Sequence, residues 1–328
     1  MLKLFITHYN PDNNIEPGSK FTSASWMNPI FDELSQLFQI TFSPDEADII
    51  LQTTFTDFTW EQLYPTRSQI NIPTIENIYN RHKDSKIYIF YIWDCYSWAL
   101  NFNSVGIKCN GSFDWNRLQQ ILKFCDIVLV PNVGTQTTLA SNLSVPSQVL
   151  LPWAPFFEYY NIVDKRYVAF ATTTYATDPT SSWGIKACKE LSIPYISTAD
   201  YPKFFVDNNN YKKLVGECSF LVNTYFEAST GGLSLLEGYN LGKPILISNS
   251  TLNGANDIFG DLAYTYEYGS FTELKIEIQR LWGLARVEDR EVCQKHCQKF
   301  TAAAMAKRLQ SKIIERTTLK KEDGVVYE

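Results

Sequence analysis

The residues best suited to chemistry lie in one stretch, Leu221 to Asn249, which reads LVNTYFEASTGGLSLLEGYNLGKPILISN. Glu227 stands in a polar loop, Gly231 and Gly232 end that loop, and Glu237 follows about one turn into an apolar run. The run from Leu233 to Gly242 predicts a helix closed by glycine. Paired glycines let a ligand approach the backbone closely. The free N–H groups of a helix start, here at Leu233 and Ser234, suit an anion such as a diphosphate. Carboxylates accept hydrogen bonds from ribose or hexose hydroxyls. Two carboxylates flanking an anion-binding helix start thus make a plausible sugar-nucleotide site.

Such a site needs strands to carry it. Apolar runs at 2–7, 47–53, 86–94 and 126–132 alternate with helical stretches at 25–38 and 117–125. A second series follows, with strands at 167–173, 193–198, 220–225 and 243–249 and helices at 181–192, 211–219 and 233–242. Unbroken apolar runs suit strands covered on both faces, and their alternation with helices implies parallel α/β sheets. The segment 151–166 has no clear period and two prolines, and reads as a linker. The expected division is an N-terminal domain 1–150, a C-terminal domain 167–316 that includes the last helices, and a polar tail 317–328. Two such domains place a cleft at the carboxyl ends of their strands, the default place for a ligand.

The segment GGLSLLEGYNLGKPILIS resembles the donor-binding core of GT-B glycosyltransferases, in the large branch that retains anomeric configuration. The resemblance implies an α/β fold of two Rossmann-like parallel-sheet domains facing across a cleft. It implies an N-terminal acceptor domain and a C-terminal nucleotide-sugar domain, with Glu237 accepting from the donor ribose. In that branch a first glutamate stands eight positions before the second. Here Ser229 occupies that place and Glu227 stands ten before. Either a longer loop carries Glu227 to the donor sugar, or Ser229 fills the slot. IFYIWDCYSW (89–98) resembles the first domain's strand facing the cleft, which often ends in His-Asp; here it ends Trp93-Asp94, so Asp94 is a candidate contact.

The family also places an Arg and a Lys just before a glycine, after the first strand of the donor domain. The matching stretch, ATTTYATDPTSSWGIKACKEL (171–191), has Ser182 and Trp183 before Gly184. Thr172, Thr173 and Thr174 offer hydroxyls instead, and Lys186, Lys20 and Lys243 are candidate cations for the leaving diphosphate. His8, at the end of the first strand, is either a proton shuttle or a residue that orders the loop 8–26, in which Gly18 and Lys20 lie.

The 328 residues carry a net charge of −6, against a chain held to nucleic acid by broad charge neutralisation. With only three histidines, His8, His82 and His296, far apart in sequence, no multi-histidine metal centre is expected. Cys293, His296 and Cys297 share helical spacing, and read either as part of a zinc site or as half-buried thiols beside a surface histidine. No Asp-x-Asp occurs, so no metal and no cofactor is expected, the nucleotide sugar being a substrate. No apolar run reaches the roughly 18 residues of a membrane span, and the apolar N-terminal stretch is too short for a signal sequence, so a cytoplasmic protein is expected. The basic run AAAMAKRLQSKIIERTTLKK near the end is amphipathic and suits an anionic surface. The acceptor is open among a glycan, a lipid-linked sugar and a modified nucleic-acid base. A non-catalytic nucleotide-sugar-binding protein of the same fold is the alternative from another class.

Overall fold

The computed structural model describes residues 1–6, 30, 32–52, 75–92, 115–143, 145–152, 154, 166–170, 179–197, 208–224, 233–251, 253–284 and 288–322. These group into two compact units. The first holds the residues up to Leu151 together with Ala302–Glu322, and the second holds the residues from Pro152 to Thr301.

In the first unit six strands form one parallel sheet: β1 (Lys3–Ile6), β2 (Gln39–Ile40), β3 (Ile49–Gln52), β4 (Ile87–Tyr91), β5 (Ile127–Val130) and β6 (Gln148–Val149), in the order β2-β1-β3-β4-β5-β6. Every residue of β3, β4 and β5 is buried, as the unbroken apolar runs require. Phe5, Ile50, Tyr88, Phe90 and Val128 pack with Ile75, Ile78, Ile121 and Leu122 of the covering helices. An aspartate at the entry of a strand ties it to its neighbour. Asp48 accepts from the Lys3 N–H at 2.7 Å, and Asp126 from the Tyr88 N–H at 2.8 Å.

The second unit carries five parallel strands: β7 (Val168–Phe170), β8 (Tyr195–Ser197), β9 (Phe220–Asn223), β10 (Ile245–Ser248) and β11 (Tyr264–Tyr266). Their order is β11-β10-β9-β7-β8. This is a doubly wound Rossmann-like sheet whose strand order reverses between β7 and β9, where such sheets bind ligands. One face packs Val168, Phe170, Phe220 and Val222 against Ala187 and Cys188 of helix Pro179–Glu190 and Leu274, Ile278 and Leu281 of helix Phe271–Leu284. Helix Leu233–Asn240 covers the other face and is itself backed by helix Arg290–Cys297.

The final helix runs Ala302–Glu322 and belongs to the first unit, whereas the sequence reading grouped it with the second domain and ended it at 316. Its cations explain the placement. Arg308 donates to the Leu151 carbonyl at 3.3 Å, Lys312 to the Gln148 side chain at 2.9 Å, and Arg316 pairs with Asp126 at 3.5 Å. These three residues recur every four positions, so they share one helix face. Three of the cations in the run read as suited to an anionic surface thus meet the chain's own first unit, while Lys307 is exposed. Thr317, expected in a polar tail, is buried and donates to the Ile313 carbonyl at 2.7 Å.

Candidate functional site

Strand β9 runs to the carboxyl edge of the second sheet beside the switch point, and helix Leu233–Asn240 carries the chain back. Six of the eight residues of this helix are buried, from Ser234 to Tyr239. Glu237 is among them, at 5% exposure. A buried carboxylate needs polar partners, and its place in the helix that follows the switch-point strand makes it a functional candidate. Leu233, at the helix start, is half-buried, and Ser234 is buried beside it.

Two glycines bring helices hard against the switch-point strands from opposite faces. A Cβ at Gly184 would stand 2.3 Å from Phe170 Cε1 and 3.1 Å from Thr224 Cγ2. A Cβ at Gly238 would stand 2.4 Å from Leu221 Cδ1. The helix then ends as the sequence predicts. Gly242 adopts φ 77, a left-handed conformation that favours glycine, and its N–H donates to the Tyr239 carbonyl at 2.9 Å.

At the carboxyl edge, β8, β9 and β10 each end an apolar run on a small polar residue that is fully buried: Ser197, Asn223 and Ser248. Thr224 is buried next to Asn223. Asn253 caps helix Gly254–Phe259, its Oδ1 accepting from the Ala255 N–H at 3.0 Å, while its Nδ2 donates to Ser248 Oγ at 3.1 Å. Asn256 Nδ2 reaches the Ser248 and Ser250 carbonyls at 3.1 and 2.6 Å. The loop after β10 is thereby fixed to the strand that feeds it. Sequence reasoning missed this polar rim. Its signal was present in strand runs that close on Ser or Asn and in the asparagines of NSTLNGAND.

Of the residues selected from sequence, the structure brings Glu237, Ser234 and Leu233 together on one helix. His8, Gly18, Lys20, Asp94, Thr172, Thr173, Glu227, Gly231 and Gly232 lie outside the described residues. Lys186 is described and points elsewhere. Its ammonium lies 3.9 Å from Glu190 and 4.8 Å from the centre of the Phe271 ring, toward the C-terminal half of its helix. Lys243 is buried just before β10 begins, at the amino edge of the sheet, opposite the helix start.

The cysteine–histidine cluster is a packing feature. Among the described residues no three His, Cys, Asp or Glu side chains are grouped to hold a metal ion. Cys297 is buried, its thiol pushed up to about 12 by burial, and it donates to the Leu236 carbonyl at 3.6 Å. His296 is half-buried. Its ring meets those of Tyr239, Phe259 and Phe300 at 5.8, 6.2 and 5.3 Å, and its Nε2 is buried without a hydrogen bond.

No protein-family model matches the chain, and no curated protein matches it. Solved structures do resemble it. A glycosyltransferase from Rickettsia africae ESF-5 superposes with a TM-score of 0.54 at 11% identity, over 88% of this chain and 81% of that one. Sucrose-phosphate synthase from Thermosynechococcus elongatus gives 0.53 at 12% identity, over 84% and 74%. Anabaena Alr3699/HepE, solved in complex with UDP and glucose, gives 0.53 at 12%, over 96% and 100%. The fold is that of GT-B glycosyltransferases: two Rossmann-like α/β units, each built on a parallel sheet.

Proposed function

We propose that the protein is a glycosyltransferase that moves a sugar from a nucleotide-sugar donor to an acceptor with retention of configuration. The observation that carries this reading is the buried carboxylate of Glu237, in the helix that follows the switch-point strand β9. In the proposed site Glu237 accepts from the ribose hydroxyls, and the N–H groups of Leu233 and Ser234 face the diphosphate. Glu227 or Ser229 meets the donor sugar. The leaving phosphate oxygen takes the acceptor proton as the new glycosidic bond forms, which asks for no separate strong base. The reading needs no metal ion and no cofactor. UDP is the first nucleotide to test, because Alr3699/HepE was solved with UDP and glucose. The acceptor class is a glycan, a lipid-linked sugar or a modified nucleic-acid base, and the proposed location is the cytoplasm.

A second reading, binding without transfer, draws support from Lys186 and Lys243. Neither is placed at the helix start, so neither clamps a departing diphosphate from where it stands. The experiment that separates the readings is incubation with UDP-glucose, UDP-galactose, UDP-N-acetylglucosamine and GDP-mannose, with release of nucleoside diphosphate measured. Slow release without acceptor, from a donor that also raises the melting temperature, supports the transferase. A donor that stabilises the protein and is never turned over supports the binding protein.

A further inference from the structure

We propose that Gly238 is a positioning residue for Glu237, the close approach of its Cα to Leu221 setting the affinity of the nucleotide site. The inference rests on the donor-site reading above. Helix Leu233–Asn240 lies against β9 with no room for a methyl group. A Cβ at position 238 would stand 2.4 Å from Leu221 Cδ1, 3.1 Å from Cδ2 and 3.3 Å from Cγ. Both branches and the branch point are involved, so rotating the leucine exchanges one clash for another.

Leu221 cannot recede. It is fully buried in β9, which is paired to β7 on one side and β10 on the other. The helix is also held from behind by the Cys297 thiol on the Leu236 carbonyl at 3.6 Å and by the His296 ring against Tyr239. Its C-terminal end is fixed, with Leu241 and Lys243 buried and the Gly242 carbonyl accepting from the Glu288 N–H at 2.9 Å. Leu233, at the other end, is only half-buried. A methyl group at 238 therefore tilts the helix, and the displacement appears at the N-terminal turns, where Ser234 and Glu237 lie. A mid-helix glycine normally weakens a helix relative to alanine. Here it permits the contact that holds Glu237 in place.

The test uses the full chain, with UDP, GDP, ADP, CDP and dTDP as calorimetric probes. The variants are Gly238→Ala, Leu221→Val, the double variant and Glu237→Gln. Gly238→Ala is expected to weaken the nucleotide that binds wild type by about tenfold, since small displacements of a binding group are costly. Leu221→Val removes the nearest carbons. Added to Gly238→Ala, it is expected to restore affinity to within about threefold of the Leu221→Val single variant. A merely structural glycine would show no such coupled recovery of affinity. If Gly238→Ala does not fold, it is placed on Leu221→Val and on Leu221→Ile, each compared with its own single variant, and a loss of affinity that appears with isoleucine and not with valine supports the inference, whereas no loss on either overturns it. A folded Gly238→Ala that binds like wild type, or a double variant tenfold weaker than Leu221→Val, overturns it. The donor-site reading then survives if Glu237→Gln binds weakly. Full affinity in Glu237→Gln, or no binding of any probe by wild type, overturns the donor-site reading and the inference with it.

Discussion

The Arg316 guanidinium lies 3.5 Å from the Asp126 carboxylate, which also accepts from the Tyr88 N–H at 2.8 Å. One aspartate thus links the C-terminal helix to the entry of β5 and to β4. The Asp126 side chain is 12% exposed, so the pair is worth more than an ordinary surface ion pair. Arg316→Ala should cost about 1 kcal/mol of stability in urea unfolding, and Asp126→Ala about 1–3 kcal/mol, because it also strands a backbone N–H. Equal and negligible effects would remove the helix from the first unit's stability.

Gly184 and Gly283 give a paired test of packing. Both are helical glycines, but nothing lies within 4 Å of a Cβ at Gly283, whereas one at Gly184 meets the fully buried Phe170 ring. Gly283→Ala should stabilise by about 0.5–1 kcal/mol, the usual gain over a helical glycine. Gly184→Ala should destabilise by about 1–3 kcal/mol through overpacking. A neutral or stabilising Gly184→Ala in thermal unfolding would show that helix Pro179–Glu190 is less closely seated on β7 than described.

His296 should make stability pH-dependent. Burial among aromatic rings lowers its pKa, opposed by a hydrogen bond to the Ile258 backbone, while nearby Lys299 lowers it further. The unfolded chain therefore takes up the proton first, at about pH 6.5. Stability is complete above that value and is lost as pH falls through it toward the lower folded-state pKa. The melting temperature should drop between about pH 7.5 and about pH 5.5, and His296→Gln should drop less. Parallel profiles for the two proteins would assign the acid sensitivity elsewhere.

Transfer or donor hydrolysis should survive EDTA, because the proposed site places Glu237 and the helix start, rather than a metal ion, on the nucleotide. Complete loss with EDTA and recovery with manganese would show that the diphosphate is held differently.

Much of the fold was legible because the buried strands are written as unbroken apolar runs. Ile49–Gln52, Ile87–Tyr91, Phe220–Asn223 and Ile245–Ser248 all fall inside runs read from sequence. The two-residue strands Gln39–Ile40 and Gln148–Val149 are too short to show a period. Helix Ile75–His82 buries only Ile75 and Ile78, which leaves little apolar pattern to read. The C-terminal helix was assigned to the wrong neighbour because cations on one face look alike whether they meet lipid or Asp126. At the site, Glu237 was legible from the glycines and helix around it. The rim of Ser197, Asn223, Thr224 and Ser248 was not, since isolated Ser and Asn at strand ends also read as ordinary turn residues.

The most direct test is calorimetric titration of wild type and Glu237→Gln with UDP, GDP, ADP, CDP and dTDP. The account predicts that wild type binds at least one of them. It predicts that Glu237→Gln, folded and melting close to wild type, binds that nucleotide about 10–100-fold more weakly, the equivalent of about 1–3 kcal/mol of charged hydrogen bonding. Undiminished affinity in a folded Glu237→Gln variant, or a wild type that binds none of the five, would contradict it.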